Sequence, residues 1–78
     1  KIEINAHTDN SGKKNYNLDL SEKRAASAMQ YLISKGIDAN RLVSHGYGES
    51  QLLIDCDKNC TKAEDQINRR IEFVIVKE

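Results

Sequence analysis

Asp9 lies in the run His7-Thr8-Asp9-Asn10-Ser11-Gly12, and Arg24 lies in a second run, Asn17-x-x-Leu20-Ser21-x-x-Arg24-Ala25. The first run closes a strand-like pattern and the second sits inside a helical one, so the two side chains belong to different elements able to converge. A carboxylate and a guanidinium held on separate supports suit a zwitterion, one group facing an ammonium and the other a carboxylate. That is binding chemistry. No nucleophile with an adjacent base accompanies the pair, and no carboxylate pair or His cluster is spaced to position a general base or a metal-bound water. The expectation is a chain that is not an enzyme and needs no cofactor or metal.

The elements that must position these residues follow from periodicity. Ile2, Ile4 and Ala6 alternate with Lys1, Glu3 and Asn5, which predicts a half-buried strand ending near His7. Asn10, Ser11 and Gly12 are turn formers. From about residue 14 to 35 the pattern is helical, with Leu18, Ala25, Met29 and Leu32 on one apolar stripe. Gly36 stands where a left-handed residue ends such a helix, and Ile37 can fold back on its last turn. A second line, Asn17, Ser21, Arg24 and Ala28, runs along the edge of the same helix. It begins near the helix start and so faces the turn carrying Asp9, where the first backbone N–H groups are also free to meet an anion.

Further along, residues 38–41 read as a capped turn and 42–47 as a second strand that leaves through Gly46-Tyr47-Gly48-Glu49. Residues 50–60 read as loop. Thr61 and Glu64 have the spacing of a capping box, which predicts a short helix over about residues 62–68. Residues 70–76 form the clearest strand pattern. Ile71, Phe73 and Ile75 share one face with Val74 and Val76 on the other, and this two-sided apolarity predicts a central strand.

Composition bounds the partners. Seventy-eight residues make one domain, residues 1–78, with a small core. Twelve basic and twelve acidic residues cancel the field that would attract nucleic acid or an anionic membrane. One Phe, three Tyr and no Trp offer no platform for stacking bases. There is no apolar run long enough to span a bilayer, and the first residues lack the layout of a signal peptide. The abrupt start on a strand pattern suggests a piece of a longer protein.

Cys56 and Cys60 are the two cysteines, four positions apart in a polar loop. An oxidising compartment would join them and a reducing one would leave two thiols. A bond across so short a loop is worth only about 2 kcal/mol by chain entropy, enough to stiffen the loop locally. A zinc site needs four ligands, and His7 and His45 lie in distant segments.

Taken together, His7-Thr8-Asp9-x-x-Gly12, Asn17-x-x-Leu20-Ser21-x-x-Arg24-Ala25, Tyr31-Leu32, Gly36-Ile37, Arg41-Leu42, Gly46-Tyr47-Gly48-Glu49 and Asn68-Arg69-Arg70-Ile71-Glu72 resemble the OmpA-like C-terminal domain. That family includes the peptidoglycan-associated lipoprotein and the periplasmic part of flagellar stator proteins, and the matches run in order from His7 to Glu72. The resemblance implies an α/β (α+β) two-layer sandwich of the βαβαββ type, with two long helices on one side of a mixed sheet. In the family another strand and long helix precede the His-Thr-Asp strand. The resemblance therefore implies that this N-terminal strand and helix are missing here and that the sheet surface they would cover is exposed. Two departures fall in one loop: Leu52 stands where many members have proline, and the Cys56 to Cys60 segment is inserted, as in some members.

The same resemblance implies non-covalent binding of the diaminopimelate residue in the peptide stem of peptidoglycan, which would anchor the outer membrane or an envelope protein to the wall. The expected location is the periplasm, with membrane association only through the parent protein. Asp9 would accept the ligand's ammonium, Arg24 would hold its carboxylate, Ser11 and Gly12 would offer backbone N–H groups, Asn17 and Leu20 would line the wall, and Arg69 or Arg70 would frame the pocket. A lysine stem lacks the terminal carboxylate and would leave Arg24 unpaired. The alternative within the family is a stator or secretion-system component using the same module, and a remote one is a thiol-disulfide or metal module on Cys56 and Cys60. Pairing of an uncovered sheet edge into a homodimer stays open. Plainer roles weigh against these: a turn cap for Asp9, a helix-surface pair with Asp19 or Glu22 for Arg24, structural roles for Arg69 and Arg70, packing or backbone bonding for Ser21, and satisfied structural histidines at His7 and His45.

Overall fold

The computed structural model describes residues 1–56 and 59–76. Residues 57 and 58 of the expected loop, and residues 77 and 78, lie outside the described residues. Strand β1 (Ile2–His7) leads through a turn into helix α1 (Lys14–Ser34); a 3-10 turn (Ala39–Arg41) precedes strand β2 (Leu42–Gly48), and helix α2 (Lys62–Asn68) leads into strand β3 (Arg70–Ile75). The sheet order is β2-β1-β3, with β1 parallel to β2 and antiparallel to β3. Helix α1 packs across β2 and β1 and closes a two-layer α/β sandwich over a mixed sheet. Of the two helices only α1, with 21 residues, is long; α2 has 7.

The central strand is therefore β1. The prediction of a central 70–76 strand is corrected: β3 lies at the sheet edge, where Ile71, Phe73, Val74 and Ile75 are all exposed. Two-sided apolarity shows that a strand suits cover on both faces, and among the described residues that cover is not supplied. Conversely, Ile4, Asn5, Ala6 and His7 are all buried in β1, so a pattern that reads as half-buried belongs to the most enclosed strand.

Helix α1 begins without help from its sequence. Lys13 at its N-cap makes no side-chain cap bond and its first turn has no acidic residue, so packing rather than capping supports the start. Its end follows the expected pattern. Gly36 adopts φ 101°, its N–H donates to Ile33 O at 3.0 Å, and Ile37 N donates to Leu32 O at 3.2 Å. The buried face differs from the predicted stripe. Asn17, Ser21 and Ala25 are buried while Leu18 is exposed, so the polar edge turns inward.

That inward turn is fixed by glycines on β2. A Cβ at Gly46 would overlap the backbone of Glu22. Gly48 adopts φ 58° and would place a Cβ 3.0 Å from Leu18 Cα. The helix backbone thus lies against the strand with no side chain between. The core is correspondingly short of hydrocarbon: among the described residues the buried apolar ones are Ile4, Ala6, Ala25 and Leu42, against eight buried polar ones. Hydrogen-bond satisfaction consequently carries an unusual share of specificity.

Candidate functional site

The parallel pairing of β1 with β2 slips between Ala6 and His7, which face Gly46 and Gly48 and leave Tyr47 as the extra residue. This bulge swings Tyr47 onto His7, with ring centroids 5.3 Å apart and planes at 13°. Beyond it, Thr8 N donates to Gly48 O at 2.9 Å, carrying the sheet pairing one step further and delivering Asp9 to the mouth of the turn.

Asp9 is 4% exposed and both its oxygens are engaged. Oδ1 accepts from Ser11 N at 3.0 Å and from the Ser11 hydroxyl, and Oδ2 accepts from Arg69 Nη1 at 2.5 Å. Burial pushes the carboxyl pKa up, but the two Ser11 bonds and the Arg69 charge outweigh it and hold the group below its ordinary value. The Ser11 N–H, a candidate ligand donor in the sequence, is donated to Asp9 in this structure. Asp9 thus caps its own turn and also forms an ion pair across 60 positions.

Asn17 is likewise held by bonds within the fold. It is buried, and its Nδ2 donates to Ser11 O at 2.9 Å, to Glu49 Oε1 at 3.1 Å and more distantly to Asp9 O at 3.3 Å. It clamps the Asp9 turn to the exit of β2. Leu20 is partly buried one turn above it. Ser21 is fully buried and bonds only to backbone, donating to Leu18 O at 2.8 Å and accepting from Gly48 N at 2.8 Å.

The two arginines after Asn68 divide the work. Arg70 donates through Nε to Glu72 Oε2 at 2.8 Å, through Nη1 to Asn68 O at 3.2 Å and through Nη2 to Gln51 O at 3.0 Å, so its guanidinium is spent inside the fold. Arg69, with a side chain 43% exposed, holds Asp9 and keeps its remaining donors available. The pair is aimed by Asn68, which is fully buried: its Oδ1 accepts from Leu53 N and Ile54 N at 2.9 and 3.0 Å, and its Nδ2 donates to Ile54 O at 2.8 Å.

Arg24 is exposed and, among the described residues, has no hydrogen bond or ion pair. Asp19, one partner considered for it, pairs with Lys23 at 3.0 Å. Arg24, Lys23, Ser27, Arg69, Arg70 and Ile71 line an open depression of about 470 Å³, a volume suited to a small ligand. Asp9 is not one of its walls, and Arg69 connects the two. The grouping of Arg69 with Asp9 was the relationship missed from sequence; its signal was the Asn-Arg-Arg run at the start of a strand antiparallel to β1, which pairs Arg70 with His7.

His7 departs from the expected satisfied histidine. It is 1% exposed, neither ring nitrogen has a hydrogen-bond partner among the described residues, and Nε2 stands 3.5 Å from Glu72 Oε1. Cys56 and Cys60 are joined in a disulfide, so although Glu64 lies beside them the sulfurs are not thiolate ligands.

The sequence model of the OmpA family matches residues 1–69. The chain belongs to the OmpA family. It is 46% identical over 70 residues to an outer membrane protein A of Bordetella avium, covering 90% of this chain and 34% of that protein. It is 39% identical over 71 residues to an outer membrane porin F of Pseudomonas fluorescens, covering 91% and 21% respectively. A peptidoglycan-associated lipoprotein of Rhizobium meliloti is 39% identical over 56 residues, 72% of this chain and 32% of the relative. This OmpA-family chain thus spans about a fifth to a third of the length of these curated relatives. No helix among its described residues is long and apolar enough to cross a membrane.

Proposed function

We propose that this OmpA-family chain binds peptidoglycan non-covalently, without catalysis, through the diaminopimelate residue of the peptide stem, and so anchors an envelope protein to the wall in the periplasm. The observation that carries this reading is Arg24, a guanidinium without a partner among the described residues, on a depression that Arg69 links to the buried carboxylate of Asp9. Arg24 would grip the ligand's terminal carboxylate through two parallel bonds. Asp9 would receive the ammonium: an ionised carboxylate has about four lone-pair positions, and three are used here. Gly12 would add a backbone N–H and Leu20 an apolar wall, while Arg69 rather than Arg70 frames the site because Arg70 is committed elsewhere. The family membership and the relative whose name reads peptidoglycan-associated lipoprotein support the same reading. A single contact of this kind is weak, and a crosslinked polymer offers many at high effective concentration.

Titration of the intact protein with a soluble diaminopimelate-containing muropeptide, followed by amide chemical shifts, should give saturable changes at Asp9 and Arg24. Asp9→Ala and Arg24→Ala should each remove them, and a lysine-containing stem should bind more weakly by about 1 to 3 kcal/mol because a partly desolvated guanidinium loses its partner. Unchanged binding in both variants would defeat the assignment.

A further inference from the structure

Cys56, Cys60 and Glu64 do not line the depression, and they bring two sulfurs and a carboxylate oxygen within 4.8 Å of one another. All three residues are partly buried. Their grouping is held by bonds that do not depend on the disulfide. Asn59 N donates to Cys56 O at 2.9 Å, which ties the second half of the loop back to the first cysteine. Thr61, the residue after Cys60, is the N-cap of α2; its N–H donates to Glu64 Oε1 at 3.0 Å and its hydroxyl accepts from Glu64 N at 3.2 Å. The capping box thus aims Glu64 at the residue beside the second cysteine. The other Glu64 oxygen has no hydrogen bond or ion pair among the described residues. Opening the bridge therefore frees two sulfurs beside an available carboxylate while leaving their backbone supports in place.

We infer that Cys56, Cys60 and Glu64 form a redox-gated site for a soft divalent cation of the zinc and cadmium type, closed while the disulfide stands and open once a dithiol has reduced it. Exchange with an external dithiol breaks the bond between the two sulfurs, passes two electrons to them, leaves a proton on each and converts the reductant to its own disulfide. Without a metal the two thiols stay protonated, because two adjacent thiolates beside a carboxylate would repel. A dication reverses that balance. It replaces both thiol protons, forms two metal–sulfur bonds and one metal–oxygen bond, and releases two protons to solvent. Thiolate ligands favour zinc and cadmium over the hard cations calcium and magnesium. Three protein ligands leave the fourth tetrahedral position to water. The bound cation then ties the loop to the start of α2 in place of the covalent bridge.

The test titrates cadmium ion into the full chain, once oxidised and once after reduction by a phosphine, and reads the ultraviolet sulfur-to-cadmium charge-transfer absorption. The reduced chain should take up one cadmium per chain with release of two protons, zinc should compete the absorption away, and the oxidised chain should show none. Cys56→Ser should leave about half of the absorption, since that intensity follows the number of bound thiolates. Glu64→Gln keeps an amide oxygen for the capping box and should weaken binding at least the roughly tenfold that loss of a group supporting a metal ligand costs, with circular dichroism confirming that both variants fold. Equal affinity in Glu64→Gln and the unaltered reduced chain would overturn the site as drawn. So would a plateau at one cadmium per two chains, which would mean that the thiolates bridge copies, or the absence of charge-transfer absorption from the reduced chain. None of these results bears on the peptidoglycan reading, which uses other residues.

Discussion

Gly48 donates its backbone N–H to Ser21 Oγ at 2.8 Å, fastening the end of β2 to the middle of α1 across 27 positions. The same hydroxyl donates to Leu18 O at 2.8 Å, so one fully buried oxygen serves both elements. Because Gly46 and Gly48 allow the helix backbone to lie directly on the strand, no larger side chain can take over that bond. Ser21→Ala removes the acceptor and leaves the Gly48 N–H buried and unpaired, for which the expected loss is about 1 to 3 kcal/mol. Urea unfolding would measure it as a lower midpoint with an unchanged slope. Gly46→Ala should be worse, since its Cβ meets backbone rather than a side chain that can move.

The pH dependence separates two buried groups. Burial, and next the charge of Arg70, lower the His7 pKa below 6.5, with Glu72 opposing. Above pH 6.5 the imidazole is neutral in both folded and unfolded chains and contributes nothing. As the pH falls through 6.5 the unfolded chain takes up the proton first, so stability declines, and the decline ends only below the folded pKa. Asp9 acts lower down: its folded pKa lies below 3.8, so its contribution is complete above about that pH and disappears as the pH falls through the folded value. Unfolding midpoints between pH 7 and 5 should therefore drop in the unaltered chain and drop less in His7→Phe, which keeps a ring against Tyr47. Asp9→Asn should leave that window unchanged and flatten the decline below pH 4.

Most of the fold could be read from the sequence because its elements have local signatures. The Thr61–Glu64 capping box forms with both bonds, Glu64 N to Thr61 Oγ1 at 3.2 Å and Thr61 N to Glu64 Oε1 at 3.0 Å, and Gly36 ends α1 as its position indicates. What could not be read depends on which neighbours are present. Alternation cannot distinguish β1, enclosed on both faces, from a half-buried strand, and an apolar β3 cannot reveal that it stands at an edge. The site follows the same division. Asp9 and Arg24 are recognisable by type and spacing, while the engagement of Asp9 by Arg69, and the internal commitments of Asn17, Ser11 and Arg70, arise from contacts between distant segments.

Asn68 holds the loop that precedes α2 by three bonds to Leu53 and Ile54, and Arg69 follows it directly in sequence. Asn68→Ala would leave three backbone groups without partners in a partly buried setting, a loss of about 2 to 4 kcal/mol. Hydrogen exchange at the Leu53 and Ile54 amides should accelerate beyond the global change. If it rises only in step with global unfolding, Asn68 does not act as a local clamp.

The free edge of β3 gives the last expectation. Phe73 is 57% exposed and Ile75 80%, on a strand whose outer N–H and C=O groups have no strand neighbour in the three-stranded sheet. Such an edge is a template for another strand, and native proteins blunt it with charge or cover. Here Glu72 is the acidic residue near the middle of the strand, and its carboxylate is turned to Arg70 and His7, which removes it from that protective role. At high concentration the 78-residue chain should self-associate through this edge. Sedimentation velocity should show a concentration-dependent species that Phe73→Lys or Ile75→Lys suppresses, without lowering the melting temperature by more than a few degrees, since neither side chain is buried. A monomer at every concentration would show that the edge is protected by means other than charge.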